Sequence, residues 1–525
     1  MKRFGIAVLV AAWGWTPSSA APQAPRPAQT AFQSGLTALH NFEYEQANEA
    51  FHRARTLEPG FVLAYWGEAM TYHQTLWRNE NVEAARRTLY DLGPTEAARA
   101  AKATTARERA LLASVETLFA DGDADVRRRR YVDAMAKAAA AQPDDPDIAS
   151  LYALALLGTT SRSLIGFGDA HDPALAGSEL QKQVAAILNR VLTAHPRHPG
   201  ALHYLLHTYD DPDHARLALA AARTYASVAA GASHALHMPA HIFLQLGMWH
   251  DAAASDRAAF DASTDWVRRK QLSPAVRNYH ALAWLQYEQL QSGRFSDAQA
   301  AIREIEPVAT AAASQAHAGE HQPLLSDLSS MRARFVIETR RWSTMAASTT
   351  FGNVNDLFAI GMSAARTGNL RSAQMVQQAL AQRATPPQEG DMRPAIAIME
   401  REMAALLEQA AGRHDAAITI MSAAAKSELA LPAPLGLPIP IKPAPELLGE
   451  MLLDAKRPQD AIAPFEATLK RHANRSLSLL GLARAAKAAS DEARARESYR
   501  KLLTNYERAD ADVSEAIEAR NALKP

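Results

Sequence analysis

The chain has 525 residues, no cysteine, and 56 basic side chains against 56 acidic ones. Balanced charge leaves no field to gather nucleic acid or an anionic membrane, and the missing thiols exclude disulfides, thiolate metal sites and cysteine nucleophiles. A chain of this length exceeds one compact core, and its abundant alanine, 24 glycines and 7% aromatics suit many short helices in an open repeat array.

Lys2 and Arg3 precede the apolar run FGIAVLVAAWGW, and Pro17 to Ala20 are small residues of the kind a signal peptidase cleaves. Residues 1–20 are therefore expected to be a signal peptide, making the mature protein exported, periplasmic or secreted, with no membrane span after cleavage. Residues 21–30 read as a proline-rich linker. From there to 430 the chain reads as helical hairpins. Gly35, Ala47, Phe51, Ala54 and Pro59 place small, small, aromatic, small and proline residues where two helices must approach closely, fill their seam and stop. FVLAYWGEAMTY opens the next hairpin, and TLWRNEN is an insertion that lengthens its loop. The RRRR run at 127–130 reads as a solvated helix face, since no aromatic interleaving or wider basic surplus accompanies it. GFGDAHDP, within 158–180, reads as an irregular loop; its Gly166-Phe167-Gly168 follows no strand and says nothing of a nucleotide. Helices are expected near 326–340, 353–366, 394–411 and 415–428. Residues 431–445, with six prolines, read as a connector, the alternative being a strap across a groove. Residues 446–525 return to hairpins, with Gly449, Ala461 and Phe465 repeating the 12- and 16-residue offsets that start at Gly35.

Nine of the 18 histidines fall between 195 and 250. His203 and His207 recur 34 residues later as His237 and His241, and 34 residues is the length of a tetratricopeptide repeat (TPR). With the blocks LHNFEYEQANEAF, AYWGEAMTY, HPGALHYLLHTYDDPDHA, HALHMPAHIF, HALAWLQYEQLQSGR and KPAPELLGEMLL, the chain resembles exported bacterial TPR proteins across residues 39–453. The resemblance implies an all-α, TPR-type α-solenoid, some of its hairpins degenerate, and it implies no established activity.

In such a solenoid the first helix of each hairpin lines the concave surface. His203, His207, His237 and His241 would then face the groove from adjacent helices and converge on one point, a donor set suited to Zn, Cu or Ni. Asp210 could ligate or orient an imidazole, with His214, His234 and His280 as further candidates. Pro239 admits an alternative in which it opens the helix and leaves His237 in the preceding turn. If an ion left one position open, its water could be activated, with Asp210, Asp211 or Glu68 as bases by type. No GxSxG elbow or P-loop is present. The leading expectation is a protein or peptide partner held in the concave groove by Trp66, Glu68, His73 and Trp284. A metal-binding protein or metal-dependent enzyme is the alternative, and a structural use of the histidines is the third reading.

Overall fold

Phe51 sits between two glycines, and that contact sets the first repeat. A Cβ on Gly35 would stand 2.8 Å from the Phe51 ring, and one on Gly67 would also collide with it. Gly449 and Gly481 flank Phe465 in the same way, so the small-aromatic-small spacing fixes hairpin packing at both ends of the chain. The computed structural model describes residues 26–160, 175–229, 231–313, 322–345, 352–385 and 392–524. Among these are 25 α-helices, paired consecutively into stacked hairpins, with two two-residue strands as the only sheet. The molecule is an all-α, TPR-type array. The expected signal segment and the GFGDAHDP loop lie outside the described residues.

Several local readings are corrected. The first helix, Pro27–His40, begins inside the expected linker, with Pro27 at its first turn where no backbone N–H is missed. The TLWRNEN insertion is a tight antiparallel hairpin pairing His73–Gln74 with Asn79–Glu80. Arg127 of the RRRR run is buried: it donates to Glu80 and to the Leu118 carbonyl, which recruits it from the surface. A helix at Leu370–Arg383 lies between two that the periodicity located.

The array curls back on itself. Arg475, fully buried, is paired with Glu446 at 2.8 Å and Glu338 at 2.7 Å and donates to the Tyr287 hydroxyl, while Lys442 pairs with Glu446 and Glu450. Because each buried cation has carboxylates in contact, this cluster satisfies itself and fastens the C-terminal hairpins to the Tyr279–Gln291 helix. The proline-rich segment joins the His414–Leu429 and Ala444–Asp454 helices and also turns inward, packing Leu437 against Leu244, Trp249, Trp284 and Tyr287.

A candidate metal centre of paired histidine trios

Three first helices carry the site. Pro199–Thr208 starts with Pro199 at its first position and His198 as N-cap, its Nδ1 accepting the Ala201 N–H at 3.1 Å. Tyr279–Gln291 is capped by Asn278. Between them, Ser233–Gln245 continues through Pro239, so His237 lies on the helix and not in a turn before it. Proline disturbs the hydrogen-bond ladder one turn back, and the Ser255 hydroxyl donates to the Leu236 carbonyl at 2.6 Å beside the break.

The four imidazoles expected to meet at one point form two sites instead. His203, His207 and His234 make one trio, with the Nε2 atoms of His207 and His234 3.0 and 3.2 Å from that of His203. His237, His241 and His280 make the other, with the Nε2 atoms of His241 and His280 3.0 and 3.1 Å from that of His237. The reason is geometric. Each i, i+4 pair is completed by one histidine reaching across from an adjoining helix, His234 to His203 and His207, and His280 to His237 and His241. His234 and His280, expected only as reserves, are full members. His214 is in neither trio and donates to Asp211 at 2.7 Å.

The outer nitrogens decide which way the inner ones face. His203 Nδ1 lies 2.6 Å from the His40 carbonyl oxygen, which can only accept, so this nitrogen carries the proton. His241 Nδ1 donates to Asp210 at 2.7 Å, and His237 Nδ1 donates to Asp256. Glu288 is fully buried, and burial together with the Asp256 charge pushes its carboxyl well up. A neutral imidazole has one N–H, so the Nε2 atoms of His237 and His241, 3.0 Å apart, both present acceptor lone pairs. Burial keeps the imidazoles neutral: it lowers His203 and His237 to about 3, and His234, His241 and His280 well below their ordinary value.

Aromatic rings wall both trios. Phe42 packs on His203, His207 and His234, and Trp77, brought in by the unexpected β-hairpin, meets the His234 ring edge-on. Trp284 contacts all three histidines of the second trio, with a centroid distance of 4.4 Å to His241. Trp284, expected in the groove, is 3% exposed, as are Glu68 and His73, and Trp66 is 1% exposed. All four are covered by the chain itself. The candidate bases are also engaged: Asp210 holds His241, Asp211 holds His214, and Glu68 pairs with Arg55 at 2.6 Å.

A third cluster is built differently. Asp147 Oδ1 accepts from His40 Nε2 at 3.0 Å and His198 Nε2 at 3.1 Å, while Oδ2 accepts from Arg107 at 2.6 Å. His40 Nδ1 accepts from the Tyr204 hydroxyl at 2.9 Å. Burial would raise the Asp147 carboxyl, but the hydrogen bonds from His198 and His40 hold it far below its ordinary range.

No family model matches the chain, and no curated protein matches it. Solved structures with a similar arrangement of helices include a tetratricopeptide repeat protein from Parabacteroides merdae, at 13% identity over 56% of this chain and 99% of that one, with a TM-score of 0.31. Cut9, in the APC/C hetero-tetramer Cut9-Hcn1, is 11% identical over 95% of this chain and 76% of its own, with a TM-score of 0.30. Yeast Tom70 is 10% identical over 89% of each chain, with a TM-score of 0.28. The likeness is one of repeat architecture, and it supplies no role for the histidines. Among the described residues no helix is long and apolar enough to cross a membrane.

Proposed function

We propose that this chain is a metal-binding protein in which His203, His207 and His234 hold one ion and His237, His241 and His280 hold a second, the helical array serving to fix both triangles. One observation carries the reading. The Nε2 lone pairs of His237 and His241 face each other at 3.0 Å because both Nδ1 protons are committed to carboxylates. Two acceptor nitrogens at that spacing, with the Nε2 of His280 3.1 Å from that of His237, are placed to share one ion. Three nitrogens about 2.1 Å from one ion stand about 3.4 Å apart in tetrahedral geometry, close to the spacings here. His203–His40 and His241–Asp210 are the outer hydrogen bonds that orient metal-ligating imidazoles.

Zn, Cu and Ni all suit these donors. Three protein ligands leave a fourth position for water or a substrate, the arrangement of reactive sites more than of closed structural ones. The other expectation, a peptide held by Trp66, Glu68, His73 and Trp284, gains no support from side chains buried in the core. Export, expected from the N-terminal residues, belongs to the same proposal and is checked by sequencing the mature N-terminus from fractionated cells.

Metal analysis of protein purified without a histidine tag tests the reading. Two ions per chain are expected, with one lost in a His203→Ala/His207→Ala variant. Substoichiometric metal indifferent to that change would end it.

A further inference from the structure

Two arginines lie buried side by side in sequence terms of the same clamp, and only one of them is answered. Arg475 has Glu446 and Glu338 in contact, at 2.8 and 2.7 Å. Arg334 is 3% exposed, yet among the described residues it forms no ion pair and no hydrogen bond, and its Nε is shut off from solvent without a partner. A buried charge with no counterion in contact is costly, so this guanidinium calls for an anion that the neighbouring side chains do not supply.

Its surroundings fit one. Gln286 Nε2 donates to the Met331 carbonyl at 2.8 Å and Gln291 Nε2 to Glu338 at 3.1 Å, tying the Tyr279–Gln291 helix alongside Gln322–Thr339. Tyr287 and Arg334 stand between the two ties. Burial lowers the Arg334 guanidinium to about 10, and of the groups whose fields reach it Tyr287 is the strongest, ahead of Glu338, Asp327 and Arg475. The Tyr287 hydroxyl accepts from Arg475 at 3.1 Å, so its own proton is left to donate, and burial keeps that proton on the ring.

We infer that Arg334 and Tyr287 form a binding site for the carboxylate of a small organic acid, using none of the six histidines. A planar carboxylate meets the guanidinium fork with two parallel hydrogen bonds and can take a third from the hydroxyl. Charge selects the same class. Glu338 answers Arg475, and Asp327, pushed up to about 7 by burial, is partly charged near neutrality, so the site offers at most the one positive charge of Arg334. A monoanion balances it, whereas a phosphate dianion would leave a charge over. Water could satisfy the N–H groups and would leave the charge as it is.

The test titrates sodium acetate into the full chain by calorimetry at constant ionic strength, with acetamide and, at pH 8, phosphate for comparison. One acetate per chain is expected, with acetamide and phosphate at least about tenfold weaker. Arg334→Met, its fold checked by circular dichroism, should lose the response, and Tyr287→Phe should weaken it about tenfold. Dialysed Arg334→Met should also melt above the unsubstituted chain, because the change removes an unanswered buried charge. Acetate bound equally well by Arg334→Met, or by Tyr287→Phe, would overturn the site; if chelation then removed it, the acid would be sitting on a histidine-held ion. Phosphate as tight as acetate would overturn the choice of a monoanion. An absence of acetate binding would also overturn the site, and Arg334→Met melting below the unsubstituted chain would then mark Arg334 as a structural charge held by the fields of Glu338 and Asp327.

Discussion

The His40–Asp147–His198 cluster and the His237–His241–His280 cluster contain the same kinds of residue and have opposite hydrogen-bond balance. In the first, two N–H groups point at one carboxylate, and every remaining ring nitrogen accepts from a hydroxyl or a backbone amide. In the second, the carboxylates sit outside, on Asp210 and Asp256, so the protons face outward and the lone pairs inward. A triangle of donors closed on an anion is complete. A triangle in which two rings turn acceptors toward each other is shaped to receive a cation. Counting histidines does not separate the two cases; following the single proton of each neutral ring does.

The comparison breaks most visibly at the lone pairs. His237→Ala/His241→Ala should abolish one of the two metal equivalents outright, read by metal analysis of the desalted protein, whereas His40→Ala/His198→Ala should leave both. Loss of metal in the second variant alone would reverse the assignment. Next in size is the proton that sets the direction. Asp210→Asn keeps the shape but offers His241 an amide that can rotate its NH₂ toward the ring, weakening the pull that aims Nε2 inward. Outer-shell changes of this type weaken metal binding by about 10- to 100-fold, measurable by chelator competition, and an unchanged affinity would show that Asp210 orients nothing.

Asp147→Asn addresses the other side of the comparison. The carboxylate answers His40, His198 and Arg107 together, and its side chain is 20% exposed, so its loss should cost about 2 kcal/mol, less than the 3–5 of a fully buried broken pair. Urea unfolding gives that value, and metal content should not change. A variant of undiminished stability would mean that the cluster is not self-satisfied as described.

The fold was legible because packing writes itself into spacing: Gly35, Phe51 and Gly67 are 16 residues apart in turn, and the ring fills the gap the glycines leave. The site was legible in part. The i, i+4 pairs declared themselves, but the 34-residue period suggested that equivalent positions converge, when stacking keeps equivalent positions a helix diameter apart. The third member of each trio comes from a non-equivalent position, His234 one turn before its neighbour pair and His280 on the following hairpin, and no periodicity marks it. The walls were hidden for another reason. Trp77 reaches His234 from an insertion and Leu437 reaches Trp284 from the proline-rich segment, both through folding back that no local pattern encodes.

His472 offers a histidine with neither arrangement. Burial, followed by the charges of Arg475 and Arg471, lowers it to about 3. The sign follows from where the proton goes. The unfolded ring takes a proton below its ordinary value of about 6.5 while the folded one does not, so stability is full above that value and falls as the pH drops toward 3. The expected loss is about 2 kcal/mol at pH 5, and His472→Asn should flatten that part of the pH profile of the melting temperature. An equally steep acid limb in the variant would exclude His472 as its source.

The smallest effect separates capping from ligation. His198 Nδ1 accepts the Ala201 N–H, so His198→Ala removes an N-cap from the helix that carries His203 and His207 and should cost about 1 kcal/mol. His198→Asn, whose side-chain oxygen can accept the same N–H, should restore most of it. Copper or zinc content should remain two per chain in both. The pairing of outcomes matters more than either one: a stability loss rescued by asparagine with metal unchanged fits a residue whose nitrogens are already spoken for. Loss of an ion from the first trio in both variants would instead mean that the cluster around Asp147 and the trio around His203 act as one site, joined through the His40 carbonyl on which His203 leans.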